Sequence, residues 1–248
     1  MRRVEDVMGM PVTIEVIDPS ATSRTLSEAM IEFRDLDDLF SPFKPDSAVS
    51  RINRGELAPE DAGETVGQAI RLCEMFSAAT DGYFSAWIGG RFDPSGLVKA
   101  WAIDRACSHL ERCRFLNFFV DAGGDVQTRG VNRNGTPWRV GIRHPVIRDK
   151  VSKVVLATDL AVATSGTYEK GRHIRDPHTG QPVDSLLSLT VIGPDIVQAD
   201  VLATAAFASG EGALEMVERF DGYEAYAIRP DNTATWTTGF EAFTDRTS

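Results

Sequence analysis

The second half of the chain sets its apolar, β-branched runs too close together for crossover helices. Trp138–Ile142, Lys153–Ala157, Ala161–Thr164 and Leu187–Gly193 each read as strands, and some are separated only by turns. Parallel neighbours need a crossover of roughly a dozen residues or more, whereas antiparallel neighbours need only a turn. The pattern therefore predicts an α+β fold, with antiparallel sheets packed against helices and pairs of strands joined by hairpins. With 248 residues, 42% of them hydrophobic, the chain can bury a sizeable core as one large domain (1–248) or two intimate lobes.

Further elements follow from periodicity. Met10–Ile17 alternates as a strand, and so does Asn117–Val120, which ends at a glycine-rich turn. From Thr22 onward, Leu26, Met30, Phe33, Leu36 and Phe40 share one helical face, and Ser41-Pro42 stops the run. A loop with one helical turn at Ser47–Asn53 precedes a second helix over Glu64–Thr80. A third begins near Gly96 or Leu97, with Asp93 or Ser95 placed to cap it. A fourth carries Asp200 and Thr204, and Gly212–Phe220 extends or restarts it. Ala225–Ile228 and Thr233–Thr237 read as a closing hairpin around Pro230-Asp231-Asn232. Neither GxGxxG nor GxxxxGK[ST] occurs, so the common dinucleotide and P-loop readings lack their motifs.

The formal net charge is -10, which argues against a duplex nucleic-acid partner. An anionic substrate would then need local help from backbone amides, a lysine or a metal. Three cysteines, Cys73, Cys107 and Cys113, form no CxxC pair and fit a reduced compartment, with Cys73 and Cys107 buried as small hydrophobes. The N-terminal segment has no apolar core of signal-peptide length, and no run is long enough to span a membrane. A cytoplasmic, soluble protein is expected.

Several residues have side chains suited to chemistry. Asp200 and Thr204 lie four apart, on one helix face, and a carboxylate with a hydroxyl there suits Mg²⁺. The plainer reading is an acid that complements the helix dipole beside an ordinary mid-helix threonine. Asp93 and Lys99 straddle the helix start at Gly96, where amides and an ammonium can meet phosphate; the plainer reading, favoured by spacing alone, is a capping Asp and a solvated Lys. Gly123-Gly124-Asp125 is either a close backbone approach to a ligand or a tight turn. His173, close to Arg175 and Asp176, is either a general base or a solvated loop histidine.

Read together, these segments resemble the ApbE family, the FAD:protein FMN transferases, along nearly the whole chain and in the family's order. The carriers are MGMPVTIEV, FSPFKPDSAVSRIN, DGYFSAW, FDPSGLVKAWAID, NFFVDAGGDV, ATSGTYEKGRHIRDPHTGQPV and ADVLATAAFASG. The resemblance implies a T-fold-related, ApbE-like architecture. It implies an FAD site lined by Met8, Phe43, Tyr83, Phe84, Ser85, Asp93, Lys99 and Ile174. It implies Mg²⁺ held by backbone carbonyls of Gly96 and Ala203 and by the side chains of Asp200 and Thr204, with His173 as the base. FMN would pass from FAD to a threonine hydroxyl of an acceptor flavoprotein, releasing AMP. The alternatives are an FAD pyrophosphatase and a non-catalytic flavin-binding or storage protein, as a monomer or homodimer. The chain departs from the family pattern at Phe43, Ser85, Ala100 and Arg172.

Overall fold

A computed structural model describes residues 1–147, 149–167 and 175–245. Its strands are β1 (Arg2–Val7), β2 (Met10–Val16), β3 (Trp87–Ile88), β4 (Arg91–Phe92), β5 (Phe118–Ala122) and β6 (Asp125–Arg129). They continue with β7 (Trp138–Arg143), β8 (Val151–Ala157), β9 (Ala161–Gly166), β10 (Ser188–Gly193), β11 (Glu224–Ile228) and β12 (Ala234–Trp236). The helices are α1 (Ser23–Phe40), α2 (Ala48–Asn53), α3 (Glu64–Ala79), α4 (Ser95–Arg112), α5 (Ile196–Ala208) and α6 (Ala213–Glu218).

Eight strands form one sheet in the order β1-β2-β5-β6-β9-β10-β11-β12, and every neighbouring pair is antiparallel. The expected α+β class with antiparallel pairing is therefore what the chain forms. Side chains alternate between the two faces of the sheet, as the strand period requires. Val12, Ile14, Phe118, Val120, Ala161, Ala163, Ala225 and Ala227 join the main core under the helices. Phe119, Val162, Ile192, Tyr226 and Ile228 face the other way, into a smaller core with Trp138, Ile142, Val155 and Phe240. The β7–β8 hairpin contributes to that second layer.

Local chemistry starts the helices. The Thr22 hydroxyl accepts the Thr25 N–H at 3.2 Å at the head of α1, and the Ser47 hydroxyl accepts the Ser50 N–H at 3.1 Å at the head of α2. The Asp195 carboxylate accepts the Gln198 N–H at 2.8 Å at the head of α5. Helix α5 is apolar on nearly all sides, with Ala199, Val201, Leu202, Ala203, Ala205 and Phe207 all buried, so it lies inside the core rather than on its surface. A polar residue on such a helix is placed there against a desolvation cost.

Two strands of the eight-stranded sheet escape the sequence reading, which starts the sheet at Met10 and takes the segment around Asp125 as a turn. Strand β1 is an edge strand with one face half-buried and the other exposed, and its Glu5 is paired with Arg3 and Arg34. It carries too few apolar residues to show a period. Strand β6 (DVQTR) is central and buried, yet polar, because its side chains find partners inside the fold. Thr128 Oγ1 donates to the Leu160 carbonyl at 2.9 Å and accepts the Leu160 N–H at 3.1 Å. Among the described residues, no helix is long and apolar enough to cross a membrane.

Candidate active site

The site is assembled where the N-terminal turns of α4 and α5 meet the end of the sheet. The seam between β6 and β9 is short: the register pairs only Val126 with Val162 and Gln127 with Ala161. Beyond it the strands part, and Asp125 fills the gap. Its Oδ1 accepts the Thr164 N–H at 3.0 Å, replacing a ladder hydrogen bond with a side chain. Its Oδ2 forms an ion pair with Lys99 Nζ, on the second turn of α4. The same ammonium lies 3.6 Å from Oδ1 of Asp200 on α5. The carboxylates are nearly sealed from solvent, with side-chain exposures of 3% for Asp125 and 4% for Asp200, while Lys99 keeps 25%. Among the described residues one ammonium thus faces two buried carboxylates, and the lysine side of the cluster is the more exposed.

Thr204 follows Asp200 by one helical turn, and its hydroxyl lies 3.3 Å from the Ser165 hydroxyl on β9. Ala203 is fully buried. Gly96, on the first turn of α4, is packed against the Phe84 ring; a Cβ there would sit 3.1 Å from Phe84 Cε2. Phe84 is itself buried, and its N–H donates to the Thr80 hydroxyl at 3.1 Å. Asp93 Oδ1 accepts the Ser95 N–H at 3.1 Å, and the Asp93 N–H donates to the Ala86 carbonyl at 2.7 Å. Ser85 exchanges hydrogen bonds with the backbone of Trp87. The segments 83–86 and 93–99 are thereby tied to each other beside the carboxylate cluster.

Met8 occupies the β1–β2 turn with φ 55° and packs against the main core. The neighbouring β5–β6 turn holds Gly123 at φ 64°, a conformation that favours glycine, with the flexible end of the Met10 side chain packed over it. Phe43 lies in the loop between α1 and α2, 92% exposed. No hydrogen bond or ring contact among the described residues joins Met8 or Phe43 to the Lys99 cluster. His173 and Ile174 lie outside the described residues.

Two residues whose side chains were assigned no role from the sequence acquire a place. Asp125 was read with Gly123-Gly124 as either a close backbone approach to a ligand or a tight turn, and its side chain proves to pair with Lys99. His178 packs edge-on against Tyr83, with ring centroids 4.6 Å apart. The turn that carries it is held by Asp176, whose carboxylate accepts the His178 N–H at 2.8 Å and the Thr179 hydroxyl at 2.9 Å. These bonds, the His178 amide foremost, hold the Asp176 carboxyl below the usual carboxylate range. At the other side of the β5–β6 turn, burial pushes the Asp121 carboxyl up, although it accepts the Gly124 N–H at 2.9 Å.

A cleft of about 240 Å³ lies between β5–β6 and β7, lined by Phe119, Asp121, Trp138 and Arg143 among others, and it reaches Asp125 and Thr164 of the cluster. None of the residues expected to bind FAD or metal lines it. Among the described residues no three His, Cys, Asp or Glu side chains converge as a metal cage. A metal at Asp200 and Thr204 would therefore draw its other ligands from backbone carbonyls, substrate oxygens and water, as Mg²⁺ commonly does.

The sequence model of the ApbE family matches residues 8–92 and 89–227. Over 157 residues the chain is 32% identical to an FAD:protein FMN transferase of Vibrio cholerae, covering 54% of this chain and 47% of that one. Over 268 residues it is 27% identical to an FAD:protein FMN transferase of Salmonella typhimurium, covering 82% and 77%. Against several of these curated relatives, the match spans about half of their length or less. In three dimensions the chain superposes on the ApbE protein of Thermotoga maritima with TM-score 0.87 at 25% identity, covering 99% of both chains. It superposes on the flavin transferase ApbE of Vibrio cholerae with TM-score 0.84 at 23% identity, covering 98% of both, a likeness of fold.

Proposed function

The chain belongs to the ApbE family, and on that premise we propose that it is an FAD:protein FMN transferase that moves FMN from FAD to a threonine hydroxyl of an acceptor protein and releases AMP. The observation that supports this reading most is the Lys99–Asp125–Asp200 cluster, with Thr204 one turn on from Asp200. An acid buried on an otherwise apolar helix, beside an ammonium and a hydroxyl, carries a desolvation cost that a charged ligand would offset.

The donor set fits Mg²⁺: a nearly sealed carboxylate and a hydroxyl, both hard oxygens, on one helix face. Asp200 and Thr204 would hold the ion through their side chains, and Gly96 and Ala203 through their carbonyls. When bound, such an ion would neutralise charge on the pyrophosphate of the substrate FAD. The remaining roles belong to the chain itself. Lys99 places a point charge at the mouth of the cluster for a phosphate oxygen. At the α4 start the Ser95 N–H is taken by Asp93 Oδ1, and the Gly96 N–H beside it is of the kind that binds phosphate. Tyr83, Phe84 and Ser85, tied to Asp93 through the Ala86 carbonyl, form the wall beside it, and exposed Phe43 offers a ring to the flavin or adenine.

His173 takes the proton from the acceptor threonine hydroxyl, a role carried by the resemblance. The threonine oxygen bonds to the FMN-side phosphorus while the bridging P–O bond breaks, and the bridging oxygen leaves with AMP. The test is incubation with FAD and Mg²⁺, with and without an acceptor flavodomain, followed by quantification of AMP. Acceptor-dependent AMP is expected. AMP released equally without acceptor would make the protein a pyrophosphatase, and bound FAD with no AMP would make it a storage protein.

A further inference from the structure

We propose that Asp125 is a positioning residue for Lys99: it holds the ammonium beside Asp200 without letting it close onto that carboxylate. The inference rests on the proposed flavin transfer and adds a residue to its machinery. Asp125 is anchored on one oxygen by the Thr164 backbone N–H, at the point where β6 and β9 part. That bond fixes the side chain to the sheet rather than to a mobile loop. The other oxygen therefore meets Lys99 from a set position, and the ammonium is drawn closer to Asp125 than to Asp200, which lies 3.6 Å away.

The arrangement divides one positive charge between two carboxylates in a poorly hydrated place, where such pairs interact strongly. Without the Asp125 charge, Asp200 is the carboxylate among the described residues that still lies within ion-pair reach of Lys99. The ammonium would close onto Asp200, the acid proposed as metal ligand, and would leave the position from which it meets a phosphate. Asp125 itself need not touch substrate. Its effect passes through Lys99, and this separates it from a residue that merely holds the sheet together.

Asp125→Asn is the variant that distinguishes the two. It keeps the oxygen that accepts the Thr164 N–H and removes the charge. FAD affinity, read by flavin fluorescence in the presence of Mg²⁺, should fall by roughly 10- to 100-fold, the scale of losing one partner of a desolvated charge pair. In a Lys99→Met background the same substitution should change FAD affinity less than about threefold, because the two residues act as one unit. Equal losses in both backgrounds, or no loss in the parent background, would overturn the inference. Should Asp125→Asn alone fail to fold, the double variant decides: a folded Asp125→Asn/Lys99→Met protein supports a charge-coupled pair, and an unfolded one makes Asp125 a purely structural post. A parent protein that binds no FAD would remove the proposed function and this inference together, whereas FAD binding with additive losses removes the inference alone.

Discussion

The Asn53 side chain brackets the backbone of Phe92: Nδ2 donates to the Phe92 carbonyl at 2.8 Å and Oδ1 accepts the Phe92 N–H at 2.8 Å. An amide side chain thereby pairs with strand β4 as another strand would, and it ties α2 to the segment that leads into α4. Phe92 is fully buried, so neither backbone group has water to fall back on. Asn53→Ala should cost roughly 2–4 kcal/mol, from two lost hydrogen bonds that leave buried partners behind. Urea unfolding checks this; a loss under about 0.5 kcal/mol, the scale of an ordinary surface change, would contradict it.

Phe43 makes the opposite case. At 92% exposure it contributes almost nothing to the core, and its ring is available to a ligand. Phe43→Ala should leave stability within about 0.5 kcal/mol. It should weaken FAD binding by about two- to tenfold, the loss of a ring contact worth roughly 0.5–1.5 kcal/mol. A fluorescence titration with an unchanged dissociation constant would remove Phe43 from the site.

The three cysteines should differ sharply in reactivity. Cys113 is exposed, whereas Cys73 and Cys107 are buried. Burial pushes the Cys73 thiol up to about 12 and the Cys107 thiol well above its usual range. Thiolate, not thiol, is the nucleophile. One equivalent of iodoacetamide should label the native protein, at Cys113, and all three sites should react only after denaturation. Rapid native labelling of Cys107 would contradict the packing of α4.

Asp104, on α4, has its carboxyl pushed up, chiefly by burial and further by the nearby charge of Asp195. A raised folded value means that the native state holds this proton more tightly than the unfolded chain. Its contribution is fully present below the ordinary carboxylate range and is lost as pH rises through the folded value. Asp104→Asn, which cannot ionise, should therefore melt higher than the parent near neutral pH, and the gap should close on acidification toward about pH 4. A gap that widens on acidification would show that ionised Asp104 stabilises the fold.

The parts of this molecule that were legible in the sequence are those where apolar side chains repeat. The face of α1 from Leu26 to Phe40 and the strands from Ser188 to Gly193 and Glu224 to Ile228 stand where the apolar pattern puts them. Strand β6 was illegible because its buried residues, Asp125, Gln127 and Thr128, are polar, and their partners come from distant segments. The ion pair of Lys99 with Asp125 was hidden for the same reason, since spacing along the chain does not reveal contact between a helix and a strand packed against it. The only available signal was the acid that closes the Gly123-Gly124 turn. The contact between His178 and Tyr83 likewise joins two turns that are far apart in the chain.

The most direct test of the account is the mass of an acceptor flavodomain co-expressed with this chain. The account predicts a gain of one FMN per acceptor, placed on a threonine by fragmentation. It predicts no gain with Asp200→Ala, which removes the charged side chain proposed to hold the metal. His173→Asn should slow the gain by about 10²–10⁴-fold, the usual contribution of a general base, while FAD still binds. An acceptor that stays unmodified beside the parent protein in FAD-replete cells, or one modified equally by Asp200→Ala, would contradict it.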